Sequence, residues 1–326
     1  MKQLALVGIG AGAAAALLFA SLSSGSFLSI LLFYLAPLPV MIAGLGWGHW
    51  AALLAGATGS LAIAVFFGGV LFLAFLVGIG APAWWLCYLS ALARPAPAAA
   101  EGGQPTLEWY PPGRLVLWSA VAGSALAILV SLAMANFALD AESFRAALGS
   151  AFSRLFGVKT GADAVPVAPG ARDPARFIEL MVTLVPPAAA VVATVTNVVN
   201  LWLAGRIVKF SGRLARPWPD IAGMSFPSLA AGALGAAIAL SFTDGMLAIL
   251  ASIVGASLIM AYGVLGFAVL HGITRGQTSR PVVLGGVYAS VIVFGWPVLM
   301  LALLGLIETF FGLRARVGAR QGRPKV

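Results

Sequence analysis

The sequence predicts an all-α membrane protein, a polytopic bundle of about eight or nine transmembrane helices. Two observations lead to this fold class. Of the 326 residues, 61% are hydrophobic and only 9% are charged, whereas about 25% of the residues in a soluble domain are charged. Apolar runs of about 20 residues, each long enough to cross a bilayer core of about 30 Å, also recur along the chain. A transmembrane β-barrel would instead alternate in polarity over segments of about 10 residues, and no such pattern occurs.

The predicted spans begin almost at the first residue. The first one resembles a signal peptide, but further spans follow it directly, so we expect it to remain as a helix. The last apolar stretch contains Gly295 and Pro297, and it either crosses once or bends there into a hairpin. The apolar segments are 3–22, 27–45, 49–66, 68–92, 115–136, 177–205, 226–242, 246–270 and 282–312.

Three polar segments lie outside these spans, within what we predict to be a single integral membrane domain, residues 1–326. Residues 93–114 form a Pro- and Gly-rich linker, residues 137–176 an extramembrane loop, and residues 313–326 a basic tail. Loop charge sets the orientation, because cytoplasmic loops of membrane proteins carry an excess of Lys and Arg. Segment 206–216 has four basic residues and is therefore predicted to be cytoplasmic. The linker is predicted to lie on the same side. The membrane itself is predicted to be a bacterial inner membrane.

A helix is predicted over 140–157, within the extramembrane loop. Asp140 can accept hydrogen bonds from the first free backbone N–H groups as its N-cap. Phe144, Leu148 and Phe152 recur at a spacing of four and make one apolar face. Such a helix either lies on the membrane surface or packs over the end of the bundle.

Motifs for enzymatic chemistry are missing from the sequence. Cys87 is the single cysteine, and the two histidines, His49 and His271, are far apart, so we expect neither a metal site nor a cofactor. The run "GIGAGA" at 8–13 imitates a dinucleotide fingerprint, but no strand precedes it, and small residues for helix packing explain it better. No basic stretch is interleaved with aromatics, so we expect no nucleic-acid partner despite the net charge of +9. The sequence does not predict an enzyme.

The stretch "TVTNVVNLWL", residues 194–203, carries polar side chains inside a predicted span. Asn197 and Asn200 are three residues apart and share a helix face, and Thr196 is four residues from Asn200. One interpretation is that these groups bond across helices and hold them together. The other is that Thr196, Asn197 and Asn200 line a cavity for a neutral polar solute, with Trp202 flanking them, since an amide both donates and accepts.

Four segments together resemble the YybS-like family of bacterial multi-pass membrane proteins, and they extend through most of the chain. These are "LAPLPVMIAGLGWG" (35–48), "NVVNLWLAGRI" (197–207), "GFAVLHGI" (266–273) and "LLGLIETFFGLR" (303–314). The first segment is also similar to the S components of energy-coupling-factor vitamin transporters, which share a proline followed by spaced glycines, here Pro39, Gly44, Gly48 and Gly56.

The similarity to S components implies a subunit that captures a small solute and works with a coupling membrane protein and an ATPase. It also implies that small residues of the first helix, here Ala11 and Ala15, dock the coupling protein. The chain departs from those proteins in having about two more spans and a longer loop, and it matches no set of their ligand-binding residues. We therefore predict a small-solute-binding membrane subunit. The alternative is a non-transporting scaffold or assembly factor, which helix 140–157 and the basic tail would suit.

Overall fold

The computed structural model of the chain describes residues 2–96, 107–157 and 173–320. Over these residues the chain is almost entirely helical. In chain order the helices are α1 (Lys2–Ala20), α2 (Phe27–Tyr34), α3 (Pro37–Trp47), α4 (His49–Phe67), α5 (Gly69–Phe75), α6 (Ala81–Ser90), α7 (Pro112–Met134), α8 (Ala141–Phe156), α9 (Pro174–Phe210), α10 (Ser228–Ser241), α11 (Gly245–Ile273), α12 (Arg280–Phe294), α13 (Pro297–Phe311) and α14 (Leu313–Arg320). The strands β1 (Ala93–Pro95) and β2 (Leu107–Trp109) form an antiparallel pair.

Seven helical segments among the described residues are long and apolar enough to cross a membrane, which confirms the prediction of a helical multi-pass membrane protein. They are Lys2–Ser24, Phe27–Trp47, His49–Phe67, Gly69–Ser90, Pro112–Met134, Pro174–Phe210 and Gly245–Ile273. The other two predicted spans contain only shorter helices. Span 226–242 contains α10, with 14 residues, and span 282–312 is divided into α12 and α13, with 15 residues each. A 15-residue helix is about 22 Å long, less than the bilayer core. The total of eight or nine crossings stays a prediction.

The last apolar stretch is broken where its glycine and proline predicted a bend. Gly295 has a φ of +71°, which separates α12 from α13, and only glycine adopts such a backbone conformation readily. Beyond α13, Gly312 has a φ of +58° and starts the turn into α14. The basic tail is therefore helical as far as Arg320, and residues 321–326 lie outside the described part of the chain.

The chain divides into two compact units, and its assignment to a single membrane domain stays a prediction. Unit 1 comprises Met1–Ser119 and Val195–Phe226, and unit 2 comprises Ala120–Thr194 and Pro227–Val326. Two of the helices, α7 and α9, pass from one unit into the other. The 37 residues of α9 give it a length of about 55 Å, more than a bilayer core requires, and it continues through Pro186 and Pro187.

In unit 1, small residues allow α1 and α4 to approach closely. A Cβ on Gly12 would overlap the side chain of Thr58 and the carbonyl oxygen of Ala55, and a Cβ on Gly8 would lie 2.9 Å from a methyl group of Leu54. The run "GIGAGA" thus supplies contact surface for α4, as expected for small residues at spacings of four in membrane helices.

Two spans of unit 1 are irregular near their middles. The segment Phe27–Trp47 is interrupted at Leu35 and Ala36, which form a turn between α2 and α3. The segment Gly69–Ser90 contains a π-helical turn at Leu76–Gly80 between α5 and α6. Irregular backbone at membrane depth exposes polar groups that need a partner inside the protein.

In unit 2, the predicted helix at 140–157 forms as α8. The carboxylate of Asp140 accepts a hydrogen bond of 2.8 Å from the backbone N–H of Ser143, and Gly157 ends the helix with a φ of +65°. Phe144, Leu148 and Phe152 are buried in a cluster with residues of α7, α9 and α11. The structure therefore favours packing on neighbouring helices for this face, while Leu155 and Phe156 at the end of α8 remain exposed.

The linker predicted over 93–114 is more ordered at its ends than its composition indicates. Strand β1 pairs with β2, and the guanidinium of Arg94 lies 2.8 Å from the carboxylate of Glu108. This contact keeps the pKa of the Glu108 carboxyl below its ordinary value, because the arginine stabilises the charged form. Residues 97–106, between the strands, lie outside the described ranges.

Candidate functional site

The polar stretch predicted as the candidate site lies in α9 with its asparagines facing inward. Asn197 is 4% exposed and Asn200 is 2% exposed. Val199 lies between them in sequence and is exposed, as a helix of 3.6 residues per turn requires. The two amides are thus buried on one side of α9, in its segment belonging to unit 1.

The Asn200 amide bonds to the break between α2 and α3. Its Nδ2 donates one hydrogen bond of 2.8 Å to the carbonyl of Tyr34, the last residue of α2, and another of 2.8 Å to the carbonyl of Thr196. The Tyr34 carbonyl lacks a donor from its own helix. Pro37 has no N–H, and the N–H of Leu38 donates to Leu35 instead. Asn200 supplies the donor that this interruption of the helix requires.

The other end of the same amide has no partner. Asn200 Oδ1 is buried and accepts no hydrogen bond within the protein. The two carbonyl contacts fix which atom is the nitrogen, because a carbonyl can only accept. An unsatisfied buried acceptor costs about 1–3 kcal/mol. The site therefore offers an acceptor to any donor group that enters it, but no free donor from Asn200.

Thr194 begins the polar stretch but belongs to unit 2. Its hydroxyl donates to the carbonyl of Ala190 at 2.8 Å and lies 3.3 Å from the hydroxyl of Ser257 on α11. A Cβ on Gly123 of α7 would lie 2.5 Å from the Thr194 hydroxyl oxygen. These contacts are helix-to-helix bonds, which is one of the two interpretations of this polar stretch.

The four predicted lining residues are not all brought together. Trp202 is 47% exposed and follows Asn200 by two residues, which places it about 200° around the helix from the amide. The guanidinium of Arg206 lies 5.9 Å from its ring centroid. Trp202 therefore points away from the asparagines in this structure, and its role as a flanking residue stays a prediction. Thr196 is partly buried and bonds to Asn200 through its backbone carbonyl.

The two alanines predicted to dock a partner pack inside the chain. Ala15 is fully buried and Ala11 is partly buried, and both contact the core cluster of unit 1. The exposed side of α1 instead carries Leu6, Ile9 and Leu17. Docking on Ala11 and Ala15 stays a prediction, and it would require α1 to move away from its present neighbours.

A cluster of basic and aromatic side chains occupies the end of α9, the loop after it and the end of α3, all within unit 1. Arg206 and Lys209 lie 5.6 and 5.1 Å from the ring centroid of Trp218, and Arg213 lies 4.5 Å from that of Trp47. From the sequence, these charges predicted only the orientation of the chain, and their indole partners were not predicted. The signal was the local sequence "RPWPD" at 216–220, where a tryptophan stands among the basic residues.

Arg216 is the one basic residue of segment 206–216 that is only partly exposed. Its Nη1 donates to the carbonyl of Ser90 at 3.4 Å, while its buried Nε has no acceptor. Burial lowers the pKa of the guanidinium from its ordinary value, because the charged form loses contact with water. The indole N–H of Trp47 is likewise buried without an acceptor.

In unit 2, His271 belongs to a small polar network near the end of α11. Its Nε2 lies 2.9 Å from the hydroxyl of Tyr288, and Arg280 Nη2 lies 3.3 Å from its Nδ1. A guanidinium can only donate, so Nδ1 is the acceptor and the proton of the neutral ring is on Nε2. Within the described ranges, no group of three or more His, Cys, Asp or Glu side chains could hold a metal ion.

An ion pair joins the end of α13 to α14. Glu308 near the end of α13 lies 2.9 Å from Nε of Arg314, and its other oxygen accepts a bond of 3.0 Å from the Arg314 backbone N–H. Both side chains are largely buried. Glu308 thus stabilises the turn from α13 into α14 and is not a free carboxylate available for chemistry.

Comparison with protein-family models, with curated proteins and with solved structures finds no match to this chain. A functional conclusion therefore depends on the geometry of its own residues.

Proposed function

We propose that the chain is a small-solute-binding membrane subunit of a transport system, similar in role to the S component of an energy-coupling-factor transporter. The observation that carries this proposal is the buried Asn200 amide, which bonds to an interrupted span and keeps one acceptor oxygen unpartnered. Interrupted helices with polar groups near the middle of the bilayer are typical of substrate sites in membrane transporters.

The chemistry of the two amides defines the class of solute. Asn200 uses both N–H groups on backbone carbonyls, so it can only accept a hydrogen bond from a ligand. Asn197, one turn away, supplies a second buried amide. A neutral solute carrying N–H or O–H donors suits this pair, because a charged solute would need a counter-charge to leave water.

The interrupted span also provides a place where the protein could change conformation. A turn at Leu35 and Ala36 absorbs backbone rotation more readily than a continuous helix. The Asn200 bond to Tyr34 links this turn to α9, so a solute bound at Asn200 would bias the geometry of the turn. A ligand shifts such an equilibrium only through its different affinity for the two states. We propose that a coupling membrane subunit and its ATPase supply the energy.

The test is purification of the tagged protein from its native membrane in gentle detergent, followed by native mass spectrometry. We expect a retained small molecule, or a co-purified membrane subunit with an ATPase. Asn197→Leu should lose the small molecule without loss of thermal stability, whereas Val199→Leu, on the exposed side of the same turn, should retain it. Both asparagines would be assigned to helix-to-helix bonding if the wild-type protein carried no small molecule and no partner subunit. The same assignment would follow if Asn197→Leu lost thermal stability while the wild type bound no ligand.

The alternative function, a scaffold or assembly factor, depends on the exposed part of α8. Its buried residues belong to the core of unit 2, so deletion of the helix would disturb that unit. Leu155 and Phe156 are exposed instead, and the double variant Leu155→Ser/Phe156→Ser tests the surface alone. Loss of a co-purified protein partner in this variant, with stability unchanged, would favour the scaffold.

A further inference from the structure

The basic side chains at the end of α9 are not neutralised by the protein. Arg206, Lys209 and Arg213 lie against indole rings, and among the described residues no carboxylate is within ion-pair distance of these three. These cations lie at the C-terminal end of a helix, where the negative end of the helix dipole stabilises positive charge. The dipole does not neutralise that charge. The cluster therefore holds an excess of positive charge.

The indole of Trp218 keeps two of these cations close together. Arg206 and Lys209 are three residues apart on one face of α9, and both lie within 6 Å of its ring centroid. A ring face attracts each cation, but the two cations repel one another. An anion bound beside them would be attracted by both and would relieve this repulsion.

Hydrogen-bond donors are also in surplus in this part of unit 1. The guanidinium groups of Arg206 and Arg213 have no hydrogen-bond acceptor or carboxylate among the described residues. A group with several charged oxygens on one centre, such as a phosphate, is the acceptor that such a set of donors matches.

An exposed apolar stripe leads along α9 to the cations. Val199 and Trp202 are exposed, Arg206 follows one turn later, and Phe210, one turn beyond it, is 96% exposed. These spacings of three, four and four residues keep the four side chains on one face of the helix. A lipid could lay its acyl chain along the stripe with its phosphate at the cations, whereas a free phosphate would make no use of the stripe.

From this arrangement we infer that Arg206, Lys209 and Arg213, supported by Trp218 and Trp47, bind the headgroup phosphate of an anionic phospholipid in the leaflet at this end of α9. Basic pockets beside transmembrane helices bind anionic lipid headgroups in this way. The inference is independent of the solute site at Asn200, because it uses the exposed side and the end of the helix.

The experiment compares two lipids on the full-length protein, delipidated in non-ionic detergent. Phosphatidylglycerol and phosphatidylcholine with the same acyl chains are added together, and native mass spectrometry counts each bound lipid. We expect the wild type to prefer phosphatidylglycerol. The double variant Arg206→Gln/Lys209→Gln should bind phosphatidylglycerol about 30-fold more weakly, which corresponds to about 1 kcal/mol for each removed charge.

Two control variants separate the site from charge and from folding. Arg145→Gln/Arg154→Gln removes the same charge from exposed positions of α8 and should leave the preference unchanged. Arg206→Lys/Lys209→Arg keeps the charge at the site and should retain most of the preference for phosphatidylglycerol. Equal binding of the two lipids to the wild type, or an unchanged preference in the glutamine variant, would overturn the inference. Displacement of the lipid by inorganic phosphate at the same concentration would also overturn it, since the site would then take a soluble anion.

Discussion

At the scale of single residues, Asn200 connects two features that are far apart in sequence. It lies 166 residues from Tyr34, whose carbonyl it satisfies. The prolines after Tyr34 create the need for this bond, because Pro37 lacks an N–H and α3 restarts only after the turn. The same side chain thus stabilises an interrupted span and presents its free oxygen to the interior of unit 1. A role in stability and a role in binding are not exclusive at this position.

We predict that Asn200→Leu lowers the free energy of unfolding by about 1–3 kcal/mol, because the Tyr34 carbonyl loses its donor inside the protein. Asn200→Asp should be destabilised further, since a carboxylate cannot donate to either carbonyl. Thermal unfolding in detergent, followed by tryptophan fluorescence, measures both changes, with Val199→Leu as the matched control. An Asn200→Leu protein as stable as the wild type would show that the bond to Tyr34 contributes nothing.

The pKa of Asp140 is lowered from its ordinary value, mainly by the hydrogen bond from the Ser143 backbone N–H. A carboxyl with a lower pKa in the folded state contributes stability that is present above its unfolded-state pKa and is lost as the pH falls through its folded-state pKa. We predict that acid shifts the unfolding of the wild type more than that of Asp140→Ala, which has no carboxylate to protonate. Parallel acid titrations of the two proteins, followed by circular dichroism, test this. Identical pH dependence would contradict the capping role.

At the scale of elements, glycines decide where helices can meet. Gly12 of α1 is enclosed by α4, whereas Gly10, two residues earlier and on another side of α1, has open space where a Cβ would be. Unit 2 uses the same device, because a Cβ on Gly266 of α11 would overlap the backbone of Leu301 on α13. Close backbone contact replaces the hydrophobic effect as a source of helix association in lipid, where apolar tails surround every helix.

We predict that Gly12→Ala destabilises the protein by about 1–3 kcal/mol or more, since the added methyl group forces α1 away from α4. Gly10→Ala should be neutral or slightly stabilising, because alanine has the higher helix propensity and meets no atom. The two midpoints of thermal unfolding give a direct comparison within one helix. Equal stability of the two variants would contradict the assigned packing of α1.

At the scale of the whole molecule, the described chain consists of two compact units through which α7 and α9 both pass. The candidate amides and the basic and aromatic cluster belong to unit 1, whereas the α8 packing and the His271 network belong to unit 2. The proposed solute site and the proposed lipid site lie on different sides of α9, and the scaffold surface lies at the end of α8. Variants that affect one should leave the others unchanged.

The orientation of the chain can be tested with single cysteines in a Cys87→Ala background. A membrane-impermeant maleimide should label Ser150→Cys on α8 from outside intact cells, and it should label Ser211→Cys after α9 only when the membrane is opened. This result is expected because the segment 206–216 is basic and should remain cytoplasmic. Labelling of both from the same side would contradict the predicted crossing of α9. Ala315→Cys, exposed on α14, then determines whether residues 280–311 cross once or twice.

The sequence alone was sufficient for the helical membrane class, most span positions and the N-cap at Asp140. Each of these depends on composition or on neighbouring residues, which act through local physics. It was insufficient for the outward position of Trp202, the pairing of β1 with β2 and the division into two units. Only the tertiary structure decided that Asn200 bonds to Tyr34 and that Arg206 and Lys209 both lie against the ring of Trp218. The physical reason is that a hydrogen bond or a cation–π contact depends on which distant segment the fold brings within a few ångströms, and local pattern carries no record of that distance.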